Sequence, residues 1–514
     1  MACFRWLPGP LVVALLGACQ PPPPAPILPQ QRRLPAWQVL ADLVLLQRLK
    51  EAAHAGSYKY RRKAQLDSAF AAARACVAGP RTVLDEYRLV VGLTDLEGSL
   101  HNDTDLPDSV RRALRAEASF FPYPLKIVAG QVLLNTTQAP LPAGTIIRRI
   151  EGVAAPRLVQ QLGKYYTTDG RNLTGKTVGF AASFPEYFRL EYGPRASFLV
   201  HYSLPAAPAR VLAARWPAVP YTTYQRAFTA RHSRPSDRGF FEDLPAPYTF
   251  QLLPAQRAAV LTINTFELGE ANTAGHRRYA RFLDSCFTLL HRAPPGTRLL
   301  VDVRNNGGGD DDNDMHTFAY LARRPFHENR GATVRFRQVP YRQYLTVAQD
   351  TAERAALVAD VAQELRRSFT TGPGGQLREN AHGNPVFQPQ PKRFRGPLYL
   401  LISPRVASAG SMFAAMVRGN TPAVVIGEET MGGYYGHTGH GTLTYTLPYS
   451  GIQVTFAWVD LVQDVPVRAS QPAGRGVLPD YFVTQSPADF LANRDAQLRF
   501  ALRLLDEAAL GPGH

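Results

Sequence analysis

The chain has 514 residues, 45% hydrophobic and 19% charged, with 57 basic against 41 acidic side chains and a formal net charge of +16. At roughly 150 residues per domain this is a folded protein of about three domains, which excludes a disordered or collagen-like chain. The four cysteines form no C-x-x-C pair, so neither a disulfide scaffold nor a structural zinc is expected. Only seven of the basic residues are lysine, the last being Lys392. No helix-turn-helix, zinc-finger or RNA-binding signature accompanies the positive charge, so nucleic acid is not an expected partner.

Residues 1–18 read as an export signal, with Arg5, an apolar stretch from Leu11 to Leu16 too short to span a bilayer, and small residues at its end. Leu16-Gly17-Ala18-Cys19 resembles a bacterial lipoprotein box. That resemblance implies lipidation of Cys19 and a membrane-anchored protein of the cell envelope, facing periplasm or exterior; an ordinary signal peptide cut nearby is the alternative. The proline-rich stretch within 19–36 reads as a stiff tether.

Residues 37–118 are expected to form a helical unit. Trp37, Leu40 and Val44 lie on one face of a first helix, Leu66, Phe70, Ala73 and Val77 on a second, and Leu84, Tyr87 and Val91 on a third. Residues 119–250 turn to short β-like runs broken by Pro and Gly, such as Gly130 to Leu134 and Gly144 to Ile150. From 251 to 505 strand, glycine loop and helix recur, which predicts an α/β core. Strands are expected at Val260–Phe266, Leu299–Val303 and Pro397–Ile402, and a helix from His276 to Leu290. Residues 323–393 read as an insertion with a helix near Asp350 to Ser368.

Two segments carry chemistry. One is Asp302-Val303-Arg304-Asn305-Asn306-Gly307-Gly308-Gly309; the other is Ser403-Pro404-Arg405-Val406-Ala407-Ser408-Ala409-Gly410-Ser411-Met412-Phe413. Each sets small residues directly after a buried strand. Ser408 falls where strand gives way to helix, so its hydroxyl stands beside unpaired N–H groups at the positive helix end. Such donors are what an oxyanion needs during acyl transfer, and a glycine loop on a neighbouring strand can supply another.

Together these segments resemble the S41 peptidases, whose D-x-R-x-N-x-G-G element and serine motif they match. Ala143 to Gly152 is similar to a PDZ-type strand pair, Gly474 to Asp480 to the close of the protease domain, and Glu51 to Tyr58 to the helical N-terminal region of bacterial members. The resemblance implies a ClpP/crotonase-like α/β protease core, with a helical N-terminal unit and a PDZ-like β domain. It implies a serine-type endopeptidase acting on proteins or peptides without a cofactor. Ser408 would be the nucleophile, Ser411 a structural residue, and the N–H groups of Ala409 and of Gly307 or Gly308 the oxyanion donors.

Processing proteases of the family take a lysine as base from the turn that here reads Thr430-Met431-Gly432-Gly433. No lysine follows Lys392, and arginine does not deprotonate in proteins. The tricorn-like branch uses a histidine instead, and His101, in Gly98-Ser99-Leu100-His101-Asn102, resembles its element and is the preferred base. His437 and His440 are alternatives, and His54 reads as structural. For an orienting acid, Asp460, Asp464, Glu428 and Glu429 are candidates without a motif to choose among them. The run Asp310-Asp311-Asp312-Asn313-Asp314 matches no calcium-loop spacing and reads as a solvated loop, so no metal is expected. The missing lysine and unassigned acid leave open a second class: a catalytically silent protein holding peptides or apolar ligands on the same scaffold.

Overall fold

The computed structural model describes residues 28–233, 246–347 and 351–510. The expected signal (1–18) and Cys19 lie outside these residues, as does most of the proline-rich stretch.

The three expected helices form, α1 (Ala36–Ala53), α2 (Lys63–Ala75) and α3 (Val83–Glu97), but the face that α1 buries is Val39, Leu43, Leu46 and Leu49, with Trp37 exposed and Leu40 and Val44 only partly buried. Thr82 caps α3 by accepting the Asp85 N–H while the Asp85 side chain returns to the Thr82 N–H, and Gly98 ends it in the left-handed conformation. The chain then turns through His101 into a short strand, β1 (Asp103–Asp105), before α4 (Asp108–Ala116).

The next unit is an antiparallel sheet of β2 (Leu125–Val128), β3 (Gln131–Leu134) and β4 (Ile146–Ile150). After α5 (Ala155–Leu162) and α6 (Thr174–Tyr192) it is completed by β5 (Ser197–Leu204) and β6 (Ala207–Pro217). Phe121, Phe180, Phe184, Phe188, Phe198 and Trp216 fill the space between sheet and helices. Edge-to-face pairs such as Phe121–Phe184, at 5.2 Å and 90°, add directional packing.

The core sheet opens with β7 (Tyr248–Leu253), which crosses the boundary expected at 250 and pairs antiparallel with β8 (Ala258–Ile263). Helix α7 (Ala274–Arg292) leads to β9 (Arg298–Asp302), parallel to β8. The acidic run is not a solvated loop: it starts α8 (Asp311–Ala319), with Asn313 and Asp314 buried. Carboxylates suit the positive end of a helix. Asp310 also accepts the N–H groups of Leu268 and Gly269, and Asp312 that of Ala271, so the run pins the loop beyond β8.

The expected insertion supplies β10 (Asn329–Val334), α9 (Thr351–Ser368), β11 (Phe369–Thr371) and β12 (Leu377–Glu379). The chain then re-enters the core as β13 (Leu398–Ile402), parallel to β9, followed by α10 (Ala409–Asn420) and β14 (Val424–Gly427). Two long strands, β15 (Thr438–Thr446) and β16 (Gln453–Gln463), pair with each other, and β10 joins β16. The insertion therefore completes a second sheet with the chain that follows the serine segment. Strand β1 joins the same sheet on β16. Finally β17 (Tyr481–Phe482) and α11 (Ala496–Leu510) close the core.

All five residues of β13 are buried, because helices cover both faces of the core sheet. A parallel strand in that setting reads as a continuous apolar run, without alternation. The helical unit has no separate core: Leu43, Leu46, Tyr87 and Val90 pack in one cluster with Tyr445, Phe456 and Trp458 of the second sheet.

That junction contains a buried charge group. Lys50 Nζ lies 2.8 Å from Glu97 Oε2, and His54 Nδ1 lies 3.2 Å from the same oxygen. Burial alone would raise the Glu97 carboxyl, but Lys50 and His54 pull it down to about 2. Burial lowers His54, so Lys50 supplies the standing positive charge. Glu97 thus stabilises the fold above its unfolded range near 4.5, and that contribution fades as pH falls toward 2. Glu97→Gln, which strands Lys50, should cost about 3–5 kcal/mol in urea unfolding at neutral pH. Its stability should also depend less on pH between 5 and ~2 than that of the parent chain.

Candidate active site

Strands β9 and β13 are parallel neighbours, so the loops leaving their carboxyl ends meet at one edge of the sheet. The first loop carries Asn306-Gly307-Gly308 and the second carries Ser408. Asn306 is fully buried and joins the two: its carbonyl accepts the Ala407 N–H at 3.2 Å, its Oδ1 accepts the Gly308 N–H at 2.9 Å, and its Nδ2 donates to Ile263 O. The sequence motif contained Asn306, but its task shows only once the strands are neighbours.

Ser408 sits at the head of α10 with φ 48° and ψ −132°. A non-glycine residue held there costs on the order of 1–3 kcal/mol, a strain typical of nucleophiles turned out of a strand–helix junction. Ser408 is partly exposed, while Ala407 and Ala409 on either side are buried. Gly308, at φ +111°, lies against it: a Cβ there would fall 2.7 Å from Ser408 Cβ and 3.2 Å from the Ala409 nitrogen. The N–H groups of Ala409 and Gly307 have no acceptor among the described residues. Gly308 differs, since Asn306 Oδ1 occupies its N–H. Of the expected oxyanion donors, Ala409 and Gly307 are the two left open.

His101 Nε2 stands 3.1 Å from Ser408 Oγ. Burial lowers the imidazole to about 4, the nearby Thr438 carbonyl opposes that shift, and His440 adds to it. The ring is therefore neutral at pH 7, and the Ser408 hydroxyl can donate to it. The Thr438 carbonyl is near enough to favour the protonated ring, yet His101 Nδ1 has no hydrogen-bond partner among the described residues.

The alternative bases stand elsewhere. His437 is buried and stacks on His101, ring centres 5.2 Å apart, forming the wall behind it. His440 Nε2 lies 3.0 Å from Glu328 Oε1. His54 belongs to the Glu97 group. No candidate acid contacts His101: Asp460 pairs with Lys59, Glu429 holds Arg475 and the Gly476 N–H, and Glu428 meets Gln497. Asp464 makes its described contacts through its main chain, to Glu328 and Asn420. Ser411 donates to the Val406 carbonyl and packs under Gly432, a structural place. Among the described residues no group of three or more His, Cys, Asp or Glu side chains could hold a metal ion.

Residues 257–459 match the family model for peptidase family S41. The match covers most of the core sheet, the serine segment and most of the second sheet, so this part of the chain is similar to that family. A search of curated proteins gives no match. Among solved structures, a mutant of CPAF superposes with TM-score 0.62 at 14% identity, covering 93% of this chain and 99% of that one. Mature CPAF complexed with lactacystin gives TM-score 0.58 at 13% identity, with 92% and 98% covered. At these identities the likeness concerns the fold, and it runs through all the units described above.

A methyl at position 308 would collide with Ser408 and burden a left-handed glycine. Gly308→Ala should therefore lower the reactivity of Ser408 toward a fluorophosphonate by about 100-fold or more, the scale of a lost oxyanion contact. The circular dichroism spectrum should stay that of a folded protein.

Proposed function

We propose that this chain is a serine endopeptidase of the S41 type that cleaves peptide bonds through an acyl-enzyme on Ser408. The observation that carries the reading is the 3.1 Å approach of His101 Nε2 to the hydroxyl of a strained serine at a helix head. In the proposed reaction Ser408 Oγ bonds to the scissile carbonyl carbon as its proton passes to His101 Nε2. The carbonyl oxygen becomes an oxyanion beside the N–H groups of Ala409 and Gly307. Collapse of this intermediate breaks the C–N bond, and His101 returns the proton to the leaving amine. Water, deprotonated by the same ring, then attacks the ester and frees Ser408.

The reading needs no orienting carboxylate. In hydrolases with a full triad, loss of that acid lowers the rate strongly but leaves residual catalysis. The stacked His437 and the Thr438 carbonyl are what flank His101 in its place. The unpartnered Nδ1 is the observation that favours the second reading, a silent binder of peptides or apolar ligands. We also propose that the protein is exported and held on a membrane by lipid at Cys19. No described helix is long and apolar enough to cross a membrane, which leaves that anchor to be tested directly.

A fluorophosphonate probe should label the folded protein, and the label should vanish in Ser408→Ala and fall at least ~100-fold in His101→Ala. A folded parent chain that takes no label would favour the binder. Because the His101 ring loses its proton near 4, labelling should reach half its plateau near pH 4 to 5, below the ordinary histidine range. In cells fed an alkynyl fatty acid, the full-length chain should carry the alkyne and Cys19→Ser should not. Equal incorporation in both would rule out the anchor.

A further inference from the structure

The base and the nucleophile come from units far apart in the chain, and something must fix the distance between them. The loop that carries His101, residues 98–102, is held to the second sheet by Ser99 Oγ, 2.6 Å from Thr438 Oγ1, and to the second unit by one segment, residues 167–171. Thr167 Oγ1 lies 2.7 Å from the Asn102 carbonyl and 3.2 Å from the Leu100 carbonyl, the acceptors on either side of His101. Asp169 Oδ1 accepts the Leu100 N–H at 3.0 Å, and the Gly170 N–H donates to the Gly98 carbonyl at 2.7 Å.

The same carboxylate reaches the core. Asp169 Oδ2 accepts the Gly433 N–H at 2.9 Å, and Gly432 beside it packs directly on Ser411, one turn along the helix that Ser408 heads. The Asp169 N–H donates to the Met431 carbonyl, and the Arg171 N–H to that of Gly474. One buried side chain thus spans the loop of the base and the turn against the nucleophile's helix. Burial pushes Asp169 up to about 7, the two N–H donors and Lys59 opposing the shift; Tyr60 also faces it.

We infer that Thr167 and Asp169 are positioning residues: they strap the His101 loop to the core so that the imidazole stays within reach of Ser408. The inference rests on the serine peptidase reading for its kinetic consequence, but its structural content concerns the ring of His101 alone. Valine keeps the shape of Thr167 and removes the hydroxyl, whereas serine keeps the hydroxyl. Asn at position 169 keeps the size, but turns an N–H toward one of the two donors, so one contact must be lost.

The test is the rate of fluorophosphonate labelling, separated into a maximal rate and a half-saturating probe concentration. Thr167→Val should lower the maximal rate by about 10- to 100-fold with the half-saturating concentration unchanged, since small misplacement costs rate more than binding. Thr167→Ser should recover most of it, and Asp169→Asn should resemble Thr167→Val. NMR titration of His101 is the second readout: its midpoint, near 4 in the parent chain, should rise toward the ordinary histidine value of 6.5 in Thr167→Val and Asp169→Asn as the ring loosens toward water, with His437 and His440 the other ionisable groups facing it. If the parent chain takes no label, the peptidase reading fails and the titration alone judges the strap. A folded Thr167→Val that labels and titrates like the parent chain would overturn it. So would an equal loss in Thr167→Val and Thr167→Ser, which would mark the methyl packing and not the hydroxyl.

Discussion

A hydrogen bond of 3.1 Å joins two side chains separated by 307 positions in the chain, and the architecture around it reads as the means of keeping it short. A histidine acts on a serine only over that range, and an ångström of drift removes orders of magnitude in rate. Parallel pairing of β9 with β13 places the glycine loop beside the serine. Strand β1, paired with β16 of the second sheet, brings the histidine from the helical unit. The shared apolar core of that unit and sheet keeps the two from separating. The site is therefore assembled by all three parts of the chain, and no one of them contains it.

Charge and burial at the site favour the neutral state of the base. His101 lies among His437, His440 and packed main chain, and none of the four candidate carboxylates reaches it to stabilise an imidazolium. Its ring is therefore unprotonated over a wide range of pH, at the expense of basicity in the proposed step where it would accept a proton. In the proposed reaction the strained serine and the open N–H groups of Ala409 and Gly307 would act on the other side of that step, where negative charge would develop on the substrate oxygen. The proposed chemistry thus leans on the oxyanion side more than on a third acidic member.

Much of this was readable in the amino-acid order, for identifiable reasons. The second and third helices of the first unit follow from apolar spacing, and the buried parallel strands from unbroken hydrophobic runs; in the first helix apolar residues lie on both sides, and Val39, Leu43, Leu46 and Leu49 form the buried face where Trp37, Leu40 and Val44 were expected. Ser408 and the Gly307-Gly308 loop were marked by small residues directly after buried strands, whereas His101 was marked by the family resemblance alone. Other features were not readable. The acidic run looked solvated because its partners, the N–H groups of residues 268–271, are some forty positions away. The insertion gave no sign that β10 would pair with β16. Asp169 and Thr167 sit in a polar stretch whose composition suits any loop, and only the folded chain lays them across the histidine.

The central claim is that Ser408 forms a covalent acyl intermediate. Rapid acid quenching of the protein with a peptidyl ester, followed by intact-mass measurement and peptide mapping, tests it most directly. A single acyl group on the peptide containing Ser408, lost again on longer incubation, is the expected result. A folded protein that acquires no adduct, or one that acquires it on another residue, would contradict the claim.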